Sequence, residues 1–179
     1  ACDVTLALQV DAMLKAVDAD LGAPTVLIYN PMQLLIKPFL DLTVEEFETV
    51  WRVTCLGAVV MARAMLPSLL STGSGTIIFS GATASIRGSA QFASLAVAKF
   101  GLRGLAQSLA REFGPQGVHV VHAVLDGLIW APQTRARFDP AQEDCISPEA
   151  IAETYLQLAA QHRSAWAHEI DLRPAQGKF

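Results

Sequence analysis

Four apolar runs alternate along this chain with four longer stretches of helical periodicity. The runs are Thr25–Tyr29, Thr76–Phe79, Val118–Leu125 and Ala165–Leu172, each short, apolar or β-branched, and bounded by turn residues. Before the first lies an amphipathic stretch from about Leu6 to Leu21, with Val10, Met13, Leu14, Val17 and Leu21 on its inner face. A capping box at Thr43-Val44-Glu45-Glu46 opens the second helix, Thr43–Leu66, through Phe47, Val50, Trp51, Leu56, Val60 and Ala64. The third, Phe92–Phe113, carries Phe92, Leu95, Ala96, Leu102, Leu105, Ala106, Leu109 and Phe113 at 3.6-residue spacing. Ser147-Pro148-Glu149 starts the fourth, which runs through Ile151, Tyr155 and Leu158 to about Gln161. Strand and helix in strict alternation predict an α/β domain, with a parallel sheet covered by helices on both faces and right-handed crossovers.

Composition agrees with that architecture. A chain of 179 residues fits one domain, and 52% hydrophobic residues suit a sheet buried on both sides. A net charge of −4 supplies no basic patch, so nucleic acid is not an expected partner. The most apolar helical stretch, Leu56–Leu70, is broken by Arg63 and Pro67 and falls short of the ~20 residues of a bilayer span. No membrane is expected on that ground. Cys2, Cys55 and Cys145 are scattered and odd in number, without metal-ligand spacing, which points to a reducing, cytoplasmic setting.

Candidate chemistry collects at strand ends. Gly75–Phe113 runs from a strand through Ser80-Gly81-Ala82-Thr83 and a loop with Arg87 and Gly88 into the long helix, where Lys99 follows Leu95 by one turn. That unit places loop atoms at the carboxyl edge of a parallel sheet, where such proteins bind ligands. Asp3 and Thr5 are alternative caps for the first helix, and Asn30 stands at the end of the first strand as a turn residue. Thr54, in mid-helix, is expected to bond back to its own turn. His119 and His122 are three apart on an extended run, so they face opposite sides and read as core or rim residues. Thr134–Cys145 is polar and contains proline, and reads as a loop.

These slots, in this order and at this spacing, resemble the short-chain dehydrogenase/reductase family. The resemblance implies a Rossmann-like doubly wound fold and an NAD(P)-dependent oxidoreductase acting on a carbonyl or alcohol. It implies that Asp3, followed by Val4, contacts the cofactor's adenine, that Asn30 braces the sheet beside the cofactor, and that Gly127 and Ile129 line its nicotinamide end. Lys99 matches the family's catalytic, ribose-binding lysine. The family's serine and tyrosine slots hold Ala82 and Leu95, its asparagine slot holds Thr54, and Asp126 and Ala131 replace a proline and a threonine. Ser80 and Thr83 flank the lost serine, either as substitutes for it or as simple loop hydroxyls. The implied cofactor is NAD or NADP, with NADP slightly preferred, although the residues that discriminate the two lie outside this sequence. The family also pairs the helices 43–66 and 92–113 into a bundle between subunits. Apolar Val59, Met61, Met65 and Leu105 beyond the core stripe agree with a homodimer or homotetramer.

The family's opening strand and Gly-x-x-x-Gly-x-Gly turn have no counterpart here, so the single domain, residues 1–179, is expected to be incomplete at its amino terminus. Without the first strand, the edge of Thr25–Tyr29 would lie open. Two functions follow from these residues. One is an oxidoreductase on an unidentified small-molecule substrate. The other is a degenerate binding or scaffold protein that keeps the fold without turnover.

Overall fold

The computed structural model describes residues 1–176. It forms a parallel four-stranded sheet in the order β1-β2-β3-β6, with β1 Val26–Tyr29, β2 Gly75–Ser80, β3 Val118–Leu125 and β6 Glu169–Leu172. Registers run Val26 to Thr76, Gly75 to Val118 and His122 to Glu169, so β2 and β3 are flanked on both sides and all eight residues of β3 are buried. Full burial on both faces is why β3 reads as a continuous apolar run. Helices α1 (Ala7–Leu21), α3 (Gly57–Thr72) and α4 (Ala93–Phe113) cover one face, meeting Leu27, Tyr29, Ile77, Phe79, Val118 and Val120. On the other face α6 (Pro148–Ala159) packs Ile151, Tyr155 and Leu158 against Ile78, Val121 and Ala123. Among the described residues β1 pairs with β2 alone, and along its other edge Val26 is 42% and Ile28 47% exposed.

Several expectations are corrected. The second helix does not stop at Leu66: α2 (Val44–Trp51), a π-helical turn (Arg52–Leu56) and α3 form one continuous run to Thr72. Pro67 faces outward, so the run continues with only its missing hydrogen bond lost, while Leu66 and Leu69 stay buried. The run of 29 residues is long and apolar enough to cross a membrane by length and composition, and half of its apolar window is buried against the sheet as a core helix. Met61 and Met65 belong to that core and are not a second face. Leu21 is exposed, and neither Asp3 nor Thr5 caps α1, whose cap position is Leu6.

Ala165–Leu172 contributes only its second half to the sheet. Trp166 stacks on His119 at 4.8 Å, and the side-chain carbonyl of Gln161 accepts from Ala167 N at 2.8 Å, which gives this backbone a partner outside the ladder. Thr134–Cys145 is structured rather than an open loop. Pro132 begins α5 (Pro132–Phe138), Arg135 lies over the Trp130 ring, and β5 (Cys145–Ile146) pairs in parallel with β4 (Leu128–Ile129).

Candidate functional site

A cavity of about 510 Å³ opens at the carboxyl ends of β1, β2 and β3. Its position follows from the topology, because each of those strands hands the chain to a loop at this edge. Asn30 and Leu34 come from the segment after β1, Ser80 to Ala84 from the end of β2, and Phe92, Leu95 and Lys99 from α4. Gly127 and Ile129 follow β3, and Thr134 and Phe138 come from α5. The structure thus gathers Asn30, Lys99, Gly127 and Ile129 on one wall system, together with the substituted positions Ala82 and Leu95.

Lys99 is 2% exposed, and its ammonium donates to the carbonyl oxygen of Ser80 at 2.6 Å. Burial penalises the charge and pushes its pKa down to about 8. Around it the loop after β2 is pinned by polar contacts that sequence reasoning missed. Thr83 donates to the carboxylate of Asp126, which also pairs with Arg173 at 3.2 Å. Ser80 and Tyr155, reaching through from α6, share a buried hydrogen bond of 2.9 Å. Ser85, which accepts from Ala82 N at 3.1 Å, lies 3.2 Å from His122 Nε2. His122 Nδ1 is 2.9 Å from Glu169, and Glu169 takes a bidentate pair of 2.7 Å contacts from Arg103 on α4. Desolvation lowers the His122 pKa, with the Glu169 contact acting against it. The loop comes so close to β3 that a Cβ at Gly81 would stand 2.3 Å from His122 Nε2, which only glycine avoids.

His119 and His122 do face opposite sides of β3 and are both buried. The only sequence signals for the Ser85–His122–Glu169 and Thr83–Asp126 contacts were a histidine inside an apolar strand and an aspartate at its end. Their partners lie 37 to 47 residues away, beyond the reach of local pattern.

Asp3 and Val4 do not line the cavity. Asp3 accepts from the backbone and hydroxyl of Thr5 at 2.9 and 2.8 Å, which holds its carboxyl below the ordinary carboxylate range. Val4 lies against Gly57 at the start of α3. Thr54 also departs from expectation. It sits in the π-helical turn and accepts from Gln33 N at 3.3 Å, tethering the segment after β1 instead of bonding its own turn.

A family model described as enoyl-(acyl carrier protein) reductase matches residues 1–166. The chain is similar to a short-chain dehydrogenase/reductase of Armillaria gallica, 29% identical over 159 residues, which are 88% of this chain and 59% of that protein. Among solved structures it is similar to a short-chain dehydrogenase from Rhodopseudomonas palustris, 38% identical with a TM-score of 0.80, covering 96% of this chain and 72% of that one. It is also similar to the NADPH-bound short chain oxidoreductase of Pseudomonas aeruginosa PAO1 containing an atypical catalytic center. That likeness has 26% identity and a TM-score of 0.88, over 99% of this chain and 75% of the other. The chain therefore spans between about three-fifths and three-quarters of these relatives' length. With the family model over most of its residues and the 38% identical Rhodopseudomonas palustris dehydrogenase matched over 96% of this chain, the chain belongs to the short-chain dehydrogenase/reductase family.

Proposed function

We infer that this protein is an NADP-dependent oxidoreductase that interconverts a small carbonyl compound and its alcohol. The observation that carries the reading is the convergence of Lys99, Asn30, Gly127 and Ile129 on one cavity at the carboxyl edge of the sheet. These groups suit the nicotinamide end of a dinucleotide. The Asn30 amide and the Lys99 ammonium offer hydrogen bonds to a ribose diol, while Ile129 and Leu125 offer an apolar wall to a planar ring. NADPH in the similar P. aeruginosa oxidoreductase favours the phosphorylated cofactor. When bound, the cofactor supplies hydride chemistry; the chain's residues supply orientation, exclusion of water and a proton. Asp3 and Val4 are proposed for the adenine end, outside the cavity.

Leu95 and Ala82 give the second reading, a binder without turnover, its own support, since neither side chain donates or exchanges a proton. Titration with NADPH and NADH, followed by assay against a panel of aldehydes and ketones, separates the two. Cofactor binding with carbonyl-dependent oxidation of NADPH is expected. Saturable cofactor binding with no turnover of any carbonyl or alcohol would establish the binder instead.

Exposed apolar residues on α4, Val97 at 51% and Phe100 at 45%, support a homodimer or homotetramer formed through this helix and the α2–α3 run.

A further inference from the structure

The cavity lacks the side chains that would ordinarily move a proton in a reaction of this kind, and one group remains that can. Among its lining residues only Arg87 and Lys99 are titratable, and a guanidinium keeps its protons throughout the working range. The hydroxyls nearest the substituted positions are already engaged, Ser80 with Tyr155 and Thr83 with Asp126. Lys99 commits one of its three protons to the Ser80 carbonyl oxygen. Leu34, Phe92, Leu95, Leu128, Ile129 and Phe138 make the surrounding wall strongly apolar.

Resting on the oxidoreductase reading, we propose that Lys99 is itself the proton donor to the carbonyl oxygen in reduction and the proton acceptor from the alcohol in oxidation, with an uncharged, largely apolar carbonyl compound as substrate. In reduction, a bound dihydronicotinamide would be the two-electron reductant, so that hydride with its electron pair would reach the carbonyl carbon. The π pair of the C=O moves onto oxygen, an N–H bond of Lys99 Nζ breaks, and its proton forms the new O–H bond. Lys99 is left as the neutral amine and takes a proton back from solvent at the cavity mouth. Oxidation runs the same transfers in reverse.

Burial brings Lys99 to about 8, close enough to neutrality for both forms to be used. The charged and titratable groups on the surrounding elements do not counter this. Arg87 lies on the cavity wall. Asp126 after β3 is held by Thr83 and Arg173, while Glu169 on β6 is held by Arg103 and His122. His122, on β3, is held by Glu169 and Ser85, and the Lys99 ammonium acts on it as a like charge that helps lower its pKa. A largely apolar substrate follows from the wall, where Asn30, Ser89, Thr134, Arg87 and Lys99 are outnumbered by Met32, Leu34, Phe92, Leu95, Leu125, Leu128, Ile129 and Phe138.

The test combines kinetics with a measurement that needs no turnover. With NADPH and a panel of aliphatic and aryl aldehydes and ketones, reduction should be flat at low pH and fall about tenfold per pH unit above about 8. Oxidation of the matching alcohols should rise over the same range. Lys99→Arg keeps a cation and a donor to Ser80 but holds its proton, so kcat should drop about 10²–10⁴-fold with circular dichroism unchanged. In wild-type protein labelled at lysine Nζ, nuclear magnetic resonance should show one ammonium titrating near 8, and that resonance should vanish in Lys99→Met. Turnover that ignores both pH and Lys99→Arg overturns the proposal and leaves the oxidoreductase reading standing. A Lys99 titration near 10.5 also overturns the proposal alone. Absence of turnover with every panel member and both cofactors overturns the oxidoreductase reading, and this proposal with it.

Discussion

Burying an ammonium in an apolar wall changes how the folded protein responds to pH. Lys99 titrates near 8 when folded and near 10.5 when the chain is unfolded and solvated. Below about 8 both states hold the proton, and the folded state bears the full cost of the buried charge. Between about 8 and 10.5 the unfolded state binds more protons, so the Lys99 contribution to stability climbs with pH. Urea midpoints of wild type and Lys99→Met at pH 7, 8, 9 and 10 should therefore shift progressively in favour of wild type. A difference that stays constant with pH would mean that Lys99 is solvated. At the neighbouring positions, Leu95→Tyr with Ala82→Ser should raise carbonyl reduction, at an overpacking cost of ~1–3 kcal/mol for the larger ring, as read by kcat in a variant first shown to be folded.

At the level of elements, the loop that forms one cavity wall is fastened to the sheet, and the sheet edge is fastened to α4, through a single carboxylate. Glu169 on β6 takes the bidentate Arg103 pair and holds the buried His122, which in turn reaches Ser85 in the loop. Its side chain is about one-third exposed, so the Arg103 pair by itself is screened and modest. Losing the carboxylate also strips a buried imidazole of its Nδ1 partner, which is the costlier effect. Glu169→Ala should destabilise the fold by about 1–3 kcal/mol in urea unfolding and loosen the loop after β2, while Arg103→Ala should cost less. Arg103 holds the Glu169 carboxyl below its ordinary value of 4.5. The stabilisation is thus present above that value and disappears as pH falls through the lowered folded one. If Glu169→Ala and wild type have equal midpoints at pH 7, the network is ornamental.

On the scale of the whole molecule, the exposed apolar residues among the described ones include two groups that bear on assembly. One lies on the outer face of α4, with Val97 and Phe100; the other lies along the edge of β1 away from β2, with Val26 and Ile28. Helix-on-helix association through α4 is the contact we propose for the oligomer. Sedimentation at micromolar concentration should give a species above the 19.2 kDa of one chain. Val97→Glu with Phe100→Glu should return it to that mass, because two charges would have to be desolvated in the interface. A wild-type species already at 19.2 kDa counts against the assembly.

The sequence by itself determined the alternation of strand and helix, and hence the parallel sheet, because strands buried on both faces read as short continuous apolar runs while amphipathic helices carry a 3.6-residue period. The long α4 and the capping box of α2 were legible from local residues for the same reason. The family resemblance singled out Asn30 after β1, Lys99 on α4 and Gly127 after β3, and these meet at one cavity because the parallel strands β1, β2 and β3 all end at the same edge, where α4 begins. Boundaries were less legible. Pro67 looked like an end but sits where one lost hydrogen bond is tolerated, and the Trp166 segment looked like strand but satisfies its backbone through Gln161. Only the tertiary structure decided what each polar group in and around the cavity does. Thr54 holding Gln33, Asp126 holding Thr83 and Glu169 joining Arg103 to His122 are contacts across 21 to 66 residues. Such pairings leave no period in the chain, since a hydrogen bond between distant segments constrains two single positions and nothing between them.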